Sequence, residues 1–543
     1  MRLRALTRPE AHAFLQHTYL TTLHMTSLFS GHETLPDAPP DTVAAHLHRQ
    51  GFEDPERTWS MVRRLEERSL PTPASSHPIS SLLEAAAASY DPERAFNNLY
   101  TLYPQTNDKH AEAVLNILTH PSDAREALTA ICAGSQPLSA LLIQDTDLLR
   151  DLFSNASWHN LKPRGQLQKE LTDRLYGVSS VEEAMVHLRT FKKQEYLRIA
   201  VCDLMRQSDT PTILERLSDV ADLCLQGAFE VCSRHLESRY GKPMLTETQP
   251  SGFAVIGMGK LGGRELNFSS DIDLMYVYDS TEGRTALSHL STYEYYPKLA
   301  RLITDVISRI TTDGLVFRVD LRLRPEGRAG DIANSIEGYQ WHYKSQGQMW
   351  ERQALLKARV CAGCNNIGNQ FTEAIRPYVF HPEFDPLILD DIHHMREKIG
   401  RALLERGSSD YHVKLGTGGI REIEFIVQGF QLVYGGMQGW PWERSTLKAL
   451  AWIADHGYLT DSEAADLSEA YLFLRDLENR IQMASDHQTH KIPQKTRAQA
   501  VLARMMGLSA ETEEATAALL LSWYQRHTTS VRTIYDRVFH SAM

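Results

Sequence analysis

Three aspartates carry the pattern most able to do chemistry. Asp271 and Asp273 stand two apart at the head of "DIDLMYVYD", and Asp320 lies in "FRVDLRLRP" among Arg318, Arg322 and Arg324. Both runs are rich in β-branched and aromatic residues and bounded by Gly, Ser or Pro, which marks short strands. On a strand, residues two apart share a face, so Asp271 and Asp273 project together while Ile272, Leu274 and Tyr276 face the other way. In the second run Phe317, Val319, Leu321 and Leu323 form the packed face, and Arg318, Asp320, Arg322 and Arg324 the chemical one. Adjacent carboxylates repel unless a cation neutralises them. If the two strands are neighbours, roughly 4.8 Å apart, three carboxylates converge. Such hard oxygen ligands suit Mg²⁺, which binds through a few carboxylates plus substrate phosphates. Two such ions, about 3.5–4 Å apart, would clamp the attacking and leaving oxygens of an in-line displacement at phosphorus. Asp271, Asp273 and Asp320 are therefore the expected metal ligands and catalytic residues, and Arg322 and Arg324, sharing the Asp320 face, the expected phosphate ligands.

The turn before Asp271 admits two readings. "AVIGMGKLGG" places Gly257, Gly259 and Gly262 as G-x-G-x-x-G after an apolar run, with Asp279 about twenty residues on, as a dinucleotide fold requires. Yet only Gly263 to Ser270 separate the last glycine from a strand that opens with two carboxylates. That is too short for the helix of a dinucleotide fold. A Walker A loop is excluded because Leu261 follows Lys260. The reading that remains gives Gly257, Gly259, Gly262 and Gly263 the task of bringing backbone N–H groups close to phosphate oxygens, with Lys260 as a nearby charge and Ser270 opening the S-D-x-D run.

The elements that must position these residues are mostly helical. Apolar residues recur at three- and four-residue spacings in "AEAVLNILTH", "SALLIQDTDLLRDLF", "VEEAMVHLRTFKKQEYLRIAVCDLM" and "ILERLSDVADLCLQGAFEVCSRHLESRYG". "YGKP" closes that region with helix-stop residues. The period changes near residue 246 and becomes helical again after residue 366, so the strands form a small α/β module between helical regions. The expected division is a helical N-terminal extension (1–95), a helical domain (96–245), a catalytic module (246–365) and a C-terminal helical bundle (366–543). Proline-bearing stretches at 31–42 and 69–81 read as loops that make the first piece an appendage. The fold class expected is α+β, mostly α-helical.

The bulk composition narrows the function. A net charge of −11 over 543 residues argues against tracking nucleic-acid phosphate by general electrostatics. The six cysteines are too sparse for a disulfide scaffold, and the one C-x-x-C, "CAGC", lacks the second pair that a zinc site needs. No apolar run reaches a membrane span, and the first residues lack a signal-peptide core, so the expected address is cytoplasmic, with neither membrane nor nucleic-acid partner.

The motifs "GMGKLGGRELNFSSDIDL", "FRVDLRLRPEGRAG", "WERQALLKAR", "KLGTGGIREIEFIVQ" and "FLRDLENRIQ" resemble the glutamine synthetase adenylyltransferase family, within the DNA-polymerase-beta-type nucleotidyltransferase superfamily. The resemblance runs from about residue 97 to the end. Members carry two nucleotidyltransferase halves, and "NFSSDIDL" with "GGIREIEF" looks like the amino-terminal, deadenylylating one. The resemblance implies Mg²⁺-dependent phosphorolysis, in which inorganic phosphate removes AMP from an adenylylated tyrosine of glutamine synthetase and ADP is released. Adenylylation from ATP is the alternative. A third reading is a non-catalytic module that binds glutamine synthetase or a PII-type signal protein. Glutamine synthetase, a PII-type protein and a separate chain carrying the other half are the partners the resemblance implies. A dinucleotide oxidoreductase ranks last.

Three further residues enter as nucleotide-binding candidates. "WERQALLKAR" reads as an amphipathic helix with Lys357 and Arg359 exposed, and Lys357 is a candidate phosphate or nucleotide ligand. In "GGIREIEFIVQGFQ", Ile420, Ile423, Val427 and Phe430 make a core stripe, while Arg421, Glu424, Gln428 and Gln431 line another face. A solvated face is the ordinary explanation of that second stripe; the resemblance instead implies a cleft-lining role for Arg421 and Glu424. The His pairs of "DDIHHMRE" and "DHQTH" lack a third converging ligand and read as structural.

Overall fold

The computed structural model describes residues 40–68, 78–103, 116–118, 122–153, 158–381, 387–405, 411–437, 439–485 and 489–540. The helical pattern at 111–120 and the loops at 31–42 and 69–81 fall largely outside them. The chain is a mostly helical α+β protein, as the periodicity requires.

It opens with α1 (Asp41–Arg49), α2 (Pro55–Arg68), α3 (Pro78–Ala87), α4 (Pro92–Leu102), α5 (Asp123–Gly134), α6 (Gln136–Gln144) and α7 (Thr146–Phe153). Side-chain caps set several starts: Asp91, Ser122 and Ser135 accept the Arg94, Arg125 and Leu138 N–H groups. Then come α8 (Arg164–Leu175), α9 (Val181–Leu204) and α10 (Thr210–Tyr240), the last capped by Asp209 and ended by Gly241 at φ +82°.

The central module follows as β1 (Pro243–Met244), β2 (Phe253–Met258), the single turn α11 (Gly259–Gly262), β3 (Ile272–Tyr278), β4 (Arg284–Thr285), α12 (Thr292–Ser308), β5 (Val319–Asp320), β6 (Ala333–Ser335), α13 (Ile336–Ser345), α14 (Met349–Leu355) and β7 (Arg359–Gly363). Helices α15 (Asn365–Val379), α16 (Leu387–Glu405), α17 (Ile420–Tyr434), α18 (Thr446–Asp455), α19 (Asp461–Ser485), α20 (Thr496–Met505) and α21 (Glu513–His540) complete the chain. None of the described helices is by itself long and apolar enough to cross a membrane.

The main sheet runs β5-β3-β2-β7, with β6 also pairing to β3. β2 and β3 are antiparallel, Phe253 opposite Tyr278 and Met258 opposite Asp273. A dinucleotide fold needs its first two strands parallel across a helical crossover, so this pairing rejects that reading of the glycine turn. β3 and β5 are parallel, joined by the crossover that contains α12.

The sheet is buried on both faces. Phe253, Val255, Ile272, Leu274, Tyr276 and Tyr278 share a core with residues of α9, α10 and α12. Ala254, Ile256, Met258, Met275 and Val277 share the other with the first helices and the C-terminal bundle. The described part of the first ninety-five residues is not a loose appendage. Val43, Leu47, Phe52 and Leu83 belong to that second core, and Arg497 of α20 pairs with Glu53 at 2.8 Å and donates to Gly51 O at 2.9 Å.

Two expectations need correction. The strand expected through residue 324 ends at Asp320, because the Asp320 carboxylate accepts the Arg322 N–H at 2.8 Å and turns the chain. The "WERQALLKAR" helix ends at Leu355, and Arg359 starts β7, where its guanidinium reaches Asp222 of α10 at 2.8 and 2.9 Å.

Candidate active site

The three aspartates do come together. Asp273 and Asp320 are direct register partners on adjacent parallel strands, so their side chains leave the same face of the sheet. Asp271 stands two residues earlier, at the head of β3. Burial, then the like charges of Asp320 and Asp271, push the Asp273 carboxyl up to about 6, against the cations Lys414 and Arg322.

Two of the three are held by arginine. Arg318 Nε lies 2.5 Å from Asp271 Oδ1 and its Nη2 donates to Ser269 O at 2.6 Å. Arg322 forks onto Asp320, Nε at 2.8 Å and Nη2 at 2.5 Å from Oδ2. Burial opposes ionisation of Asp320, but these bonds and charges hold its carboxyl below the ordinary range. Asp273 makes no ion pair among the described residues. As the side chains stand, no three His, Cys, Asp or Glu among the described residues form a ready metal centre.

The donor set nevertheless fits Mg²⁺ in chemistry. Its oxygens are hard, they come from neighbouring strands, and the half-buried Asp273 lacks a cation. Gly259, at φ +53°, keeps the space beside that carboxylate open: a Cβ there would stand 2.6 Å from Asp273 Oδ2. Asp271, Asp273 and Asp320 are the residues that would hold the ion.

The remaining glycines serve packing. A Cβ on Gly257 would meet Cys361 Sγ at 2.3 Å, one on Gly262 would meet Lys357 O at 1.8 Å, and one on Gly263 the carboxylate of Glu265 at 2.9 Å. Ser270 Oγ accepts the Asn267 N–H at 3.3 Å and shapes the turn. Asp279, the acidic residue a dinucleotide reading would use, instead accepts from Ser251 Oγ and the Gly252 and Ser280 N–H groups.

Several expected nucleotide ligands are committed elsewhere. Arg324 does not share the Asp320 face; it donates to Leu321 O at 2.8 Å and Gly330 O at 3.2 Å, bracing the loop after β5. Lys260 is turned inward, 2.8 Å from Glu478 Oε1 and 2.5 Å from Asn267 Oδ1. Lys357 is buried against Glu265, with Thr446 Oγ1 at 3.0 Å. The polar stripe of α17 is interior: Glu424 pairs with Arg475 at 2.8 Å and with Arg421 at 3.5 Å, Gln428 accepts from Gln353, and Gln431 donates to Glu443 O. Burial works against the Glu424 anion, yet Arg421, Arg475, Lys357 and Lys414 bring its pKa down to about 2.

Sequence reasoning gave no role to the element that joins these pairs. Helix α19 turns Arg475, Glu478, Asn479 and Gln482 toward the segment leading into Asp271. Glu478, fully buried, takes Lys260, Arg475 at 2.9 Å and His490 at 2.9 Å. Asn479 accepts from Asn267 at 2.5 Å and Gln482 from the Ser269 N–H at 3.2 Å. The available signal was a polar stripe at i, i+3, i+4 and i+7 within "FLRDLENRIQ", where a core helix should be apolar. Lys414, in "KLGTGG", was also missed: it is half-buried, has no ion pair among the described residues, and acts on Asp273.

The chain is similar to known proteins over much of its length. Residues 125–374 match the family model for glutamate-ammonia ligase adenylyltransferase, and residues 392–539 that for GlnD PII-uridylyltransferase. The bifunctional glutamine synthetase adenylyltransferase/adenylyl-removing enzyme of Nitrosococcus oceani is 36% identical over 385 residues, covering 70% of this chain and 40% of the relative. Those of Pseudomonas aeruginosa and Pseudomonas putida are each 34% identical, over 70% and 71% of this chain and 39% and 40% of their own lengths. The chain thus spans about two fifths of the curated relatives it matches. With these motifs in order, the chain is similar to the glutamine synthetase adenylyltransferase/adenylyl-removing enzymes over about 70% of its own length.

Proposed function

We propose that this chain is a Mg²⁺-dependent nucleotidyltransferase that regulates glutamine synthetase, most simply by removing AMP from its adenylylated tyrosine with inorganic phosphate. The observation that carries the reading is the direct opposition of Asp273 and Asp320 on adjacent strands, with Asp271 at the strand head. Bound Mg²⁺ would polarise the phosphoryl oxygens and stabilise the charge that builds up there. The chain's own residues do the rest. Arg318 and Arg322 neutralise Asp271 and Asp320 until a cation does, and α19 fixes the turn that aims Asp271 and Asp273.

In the reaction, an oxygen of hydrogen phosphate forms a bond to the AMP phosphorus and the bond from phosphorus to the tyrosine oxygen breaks. ADP leaves, and the proton carried by the phosphate ends on the tyrosine hydroxyl. No strong general base is required, because the nucleophile is already an anion and catalysis is mainly positioning and charge stabilisation. Adenylylation from ATP uses the same displacement with pyrophosphate leaving. Residues 246–365 are proposed as the catalytic module, with helical regions at 1–95, 96–245 and 366–543 around it. A separate chain carrying the other nucleotidyltransferase half is a proposed partner. A PII-type protein is another, on the strength of the match over residues 392–539.

The test is incubation with adenylylated and unadenylylated glutamine synthetase, in the presence of phosphate or ATP, scored by mass for loss or gain of AMP. A second reading, a regulatory module without chemistry, draws on the arginines that hold two of the three carboxylates. Mg²⁺ titration in the presence of ADP separates the two, because a pure binding module would show no Mg²⁺-linked uptake of nucleotide.

A further inference from the structure

We infer that Lys414 binds the phosphate group opposite the tyrosine oxygen, the one that becomes the β-phosphate of ADP in AMP removal or belongs to pyrophosphate in the reverse sense. This rests on the adenylyl-transfer reading above. Of the other cations named at the site or beneath it, Arg324 is tied to backbone carbonyls and the rest have carboxylate partners. Lys260 pairs with Glu478, Lys357 with Glu265, Arg318 with Asp271, Arg322 with Asp320, and Arg421 with Glu424. Lys414 has none among the described residues, although it is half-buried. An ammonium withdrawn from water without a partner is costly, and a fold retains that cost where a ligand removes it.

Its backbone is fixed by contacts that lead toward the glycine turn beside Asp273. The Val413 N–H donates to His490 O at 2.9 Å and the Arg421 N–H to Lys414 O at 3.0 Å, so the segment is pinned at both sides of the lysine. His490 Nδ1 lies 2.9 Å from Glu478 Oε1, which lies 2.8 Å from Lys260 Nζ. Lys260 follows Gly259, the residue that borders Asp273 Oδ2. At Asp273 the field of Lys414 is the strongest cationic influence, ahead of that of Arg322. Among the described residues, an ammonium without a counter-ion thus acts electrostatically on a carboxylate without a cation. A phosphate at Lys414 would pair that ammonium, as a divalent cation would pair Asp273. Burial, then Arg421, work against the Lys414 charge, with Glu478 and Glu424 supporting it, so an arriving anion meets a cation that gains from being paired.

ADP carries the phosphate in question and AMP lacks it, which makes the pair a direct probe. Calorimetric binding of each to the 543-residue chain with Mg²⁺ should favour ADP by about tenfold or more, the scale of a charge-assisted contact. Lys414→Met should reduce that preference to near unity, and Lys414→Arg should keep most of it. In turnover, Lys414→Met should raise the KM for phosphate about ten- to a hundredfold, with the KM for adenylylated glutamine synthetase unchanged. An ADP preference that survives Lys414→Met overturns the inference. So does a lower Tm in that variant with an unaltered phosphate KM, which would mark the lysine as structural. If the unaltered chain neither removes nor adds AMP but its ADP preference depends on Lys414, the reaction reading fails and the phosphate contact stands.

Discussion

Two charged regions lie side by side in this molecule, and they treat charge in opposite ways. Beneath the glycine turn, Glu265, Glu424 and Glu478 meet Lys260, Lys357 and Arg475 in an interior network in which each charge has a partner. On the strand ends above it, Asp271 and Asp320 hold half-exposed arginines, while Asp273 and Lys414 lack ion pairs among the described residues. A closed network fixes geometry, because breaking any pair strands a buried charge. An open one leaves charge for a ligand. The same residue types thus divide into those that hold the turn in place and those it holds out.

The sharpest break of that contrast is Asp273→Asn. Release of ADP from adenylylated glutamine synthetase should fall by at least about a thousandfold, the scale of losing a principal charge-stabilising group, while the fold stays intact. The sign of the stability effect is also defined. Because burial raises the Asp273 pKa above its unfolded value to about 6, the metal-free protein loses stability as pH rises from about 4 through 6. Removing that carboxylate should raise the metal-free Tm above pH 6 in a calorimetric scan. A lower Tm would place Asp273 with the structural network.

Glu478→Gln addresses the other region. It leaves the fully buried Arg475 short of a counter-charge, and urea unfolding should show a loss of about 3–5 kcal/mol. A loss under about 1 kcal/mol would mean the interior network is no more structural than a surface pair.

The third test is a pH window. The cations around Glu424 depress its pKa to about 2, so its contribution is complete above the unfolded value of 4.5 and disappears as pH falls from there toward 2. The difference corresponds to an order of 3 kcal/mol. Stability measured across that window should fall less steeply in Glu424→Gln than in the parent chain.

The smallest effect belongs to Arg318→Gln. Its side chain is 44% exposed, and loss of the pair with Asp271 should change stability by less than about 1 kcal/mol. A larger cost would show that the open face is as tightly built as the interior.

Legibility in the sequence followed the range of the interactions. β2 and β3 were readable because alternation and β-branched content act over a few neighbouring residues, and the face shared by Asp271 and Asp273 followed from the strand period. The run containing Asp320 was read too long, since a side-chain-to-backbone bond at Asp320 and Arg322 stops the strand where hydrophobic alternation continues. β7 was not foreseen: Arg359–Gly363 is short, and its arginine looks solvent-facing until Asp222 is brought to it from 137 residues away. Lys260 and Lys357 were assigned to phosphate for the same reason, because their carboxylates lie 218 and 92 residues off.

What the sequence determined by itself was the inventory and its local order: three acids on two extended runs, a glycine turn before them, and helices around them. Those properties follow from side-chain period, turn chemistry and composition, none of which depends on distant residues. Tertiary structure alone decided which charges are used up and which are left over. A lysine's chemistry depends on whether a carboxylate stands within a few ångströms, and that depends on how helices far apart in the chain are packed.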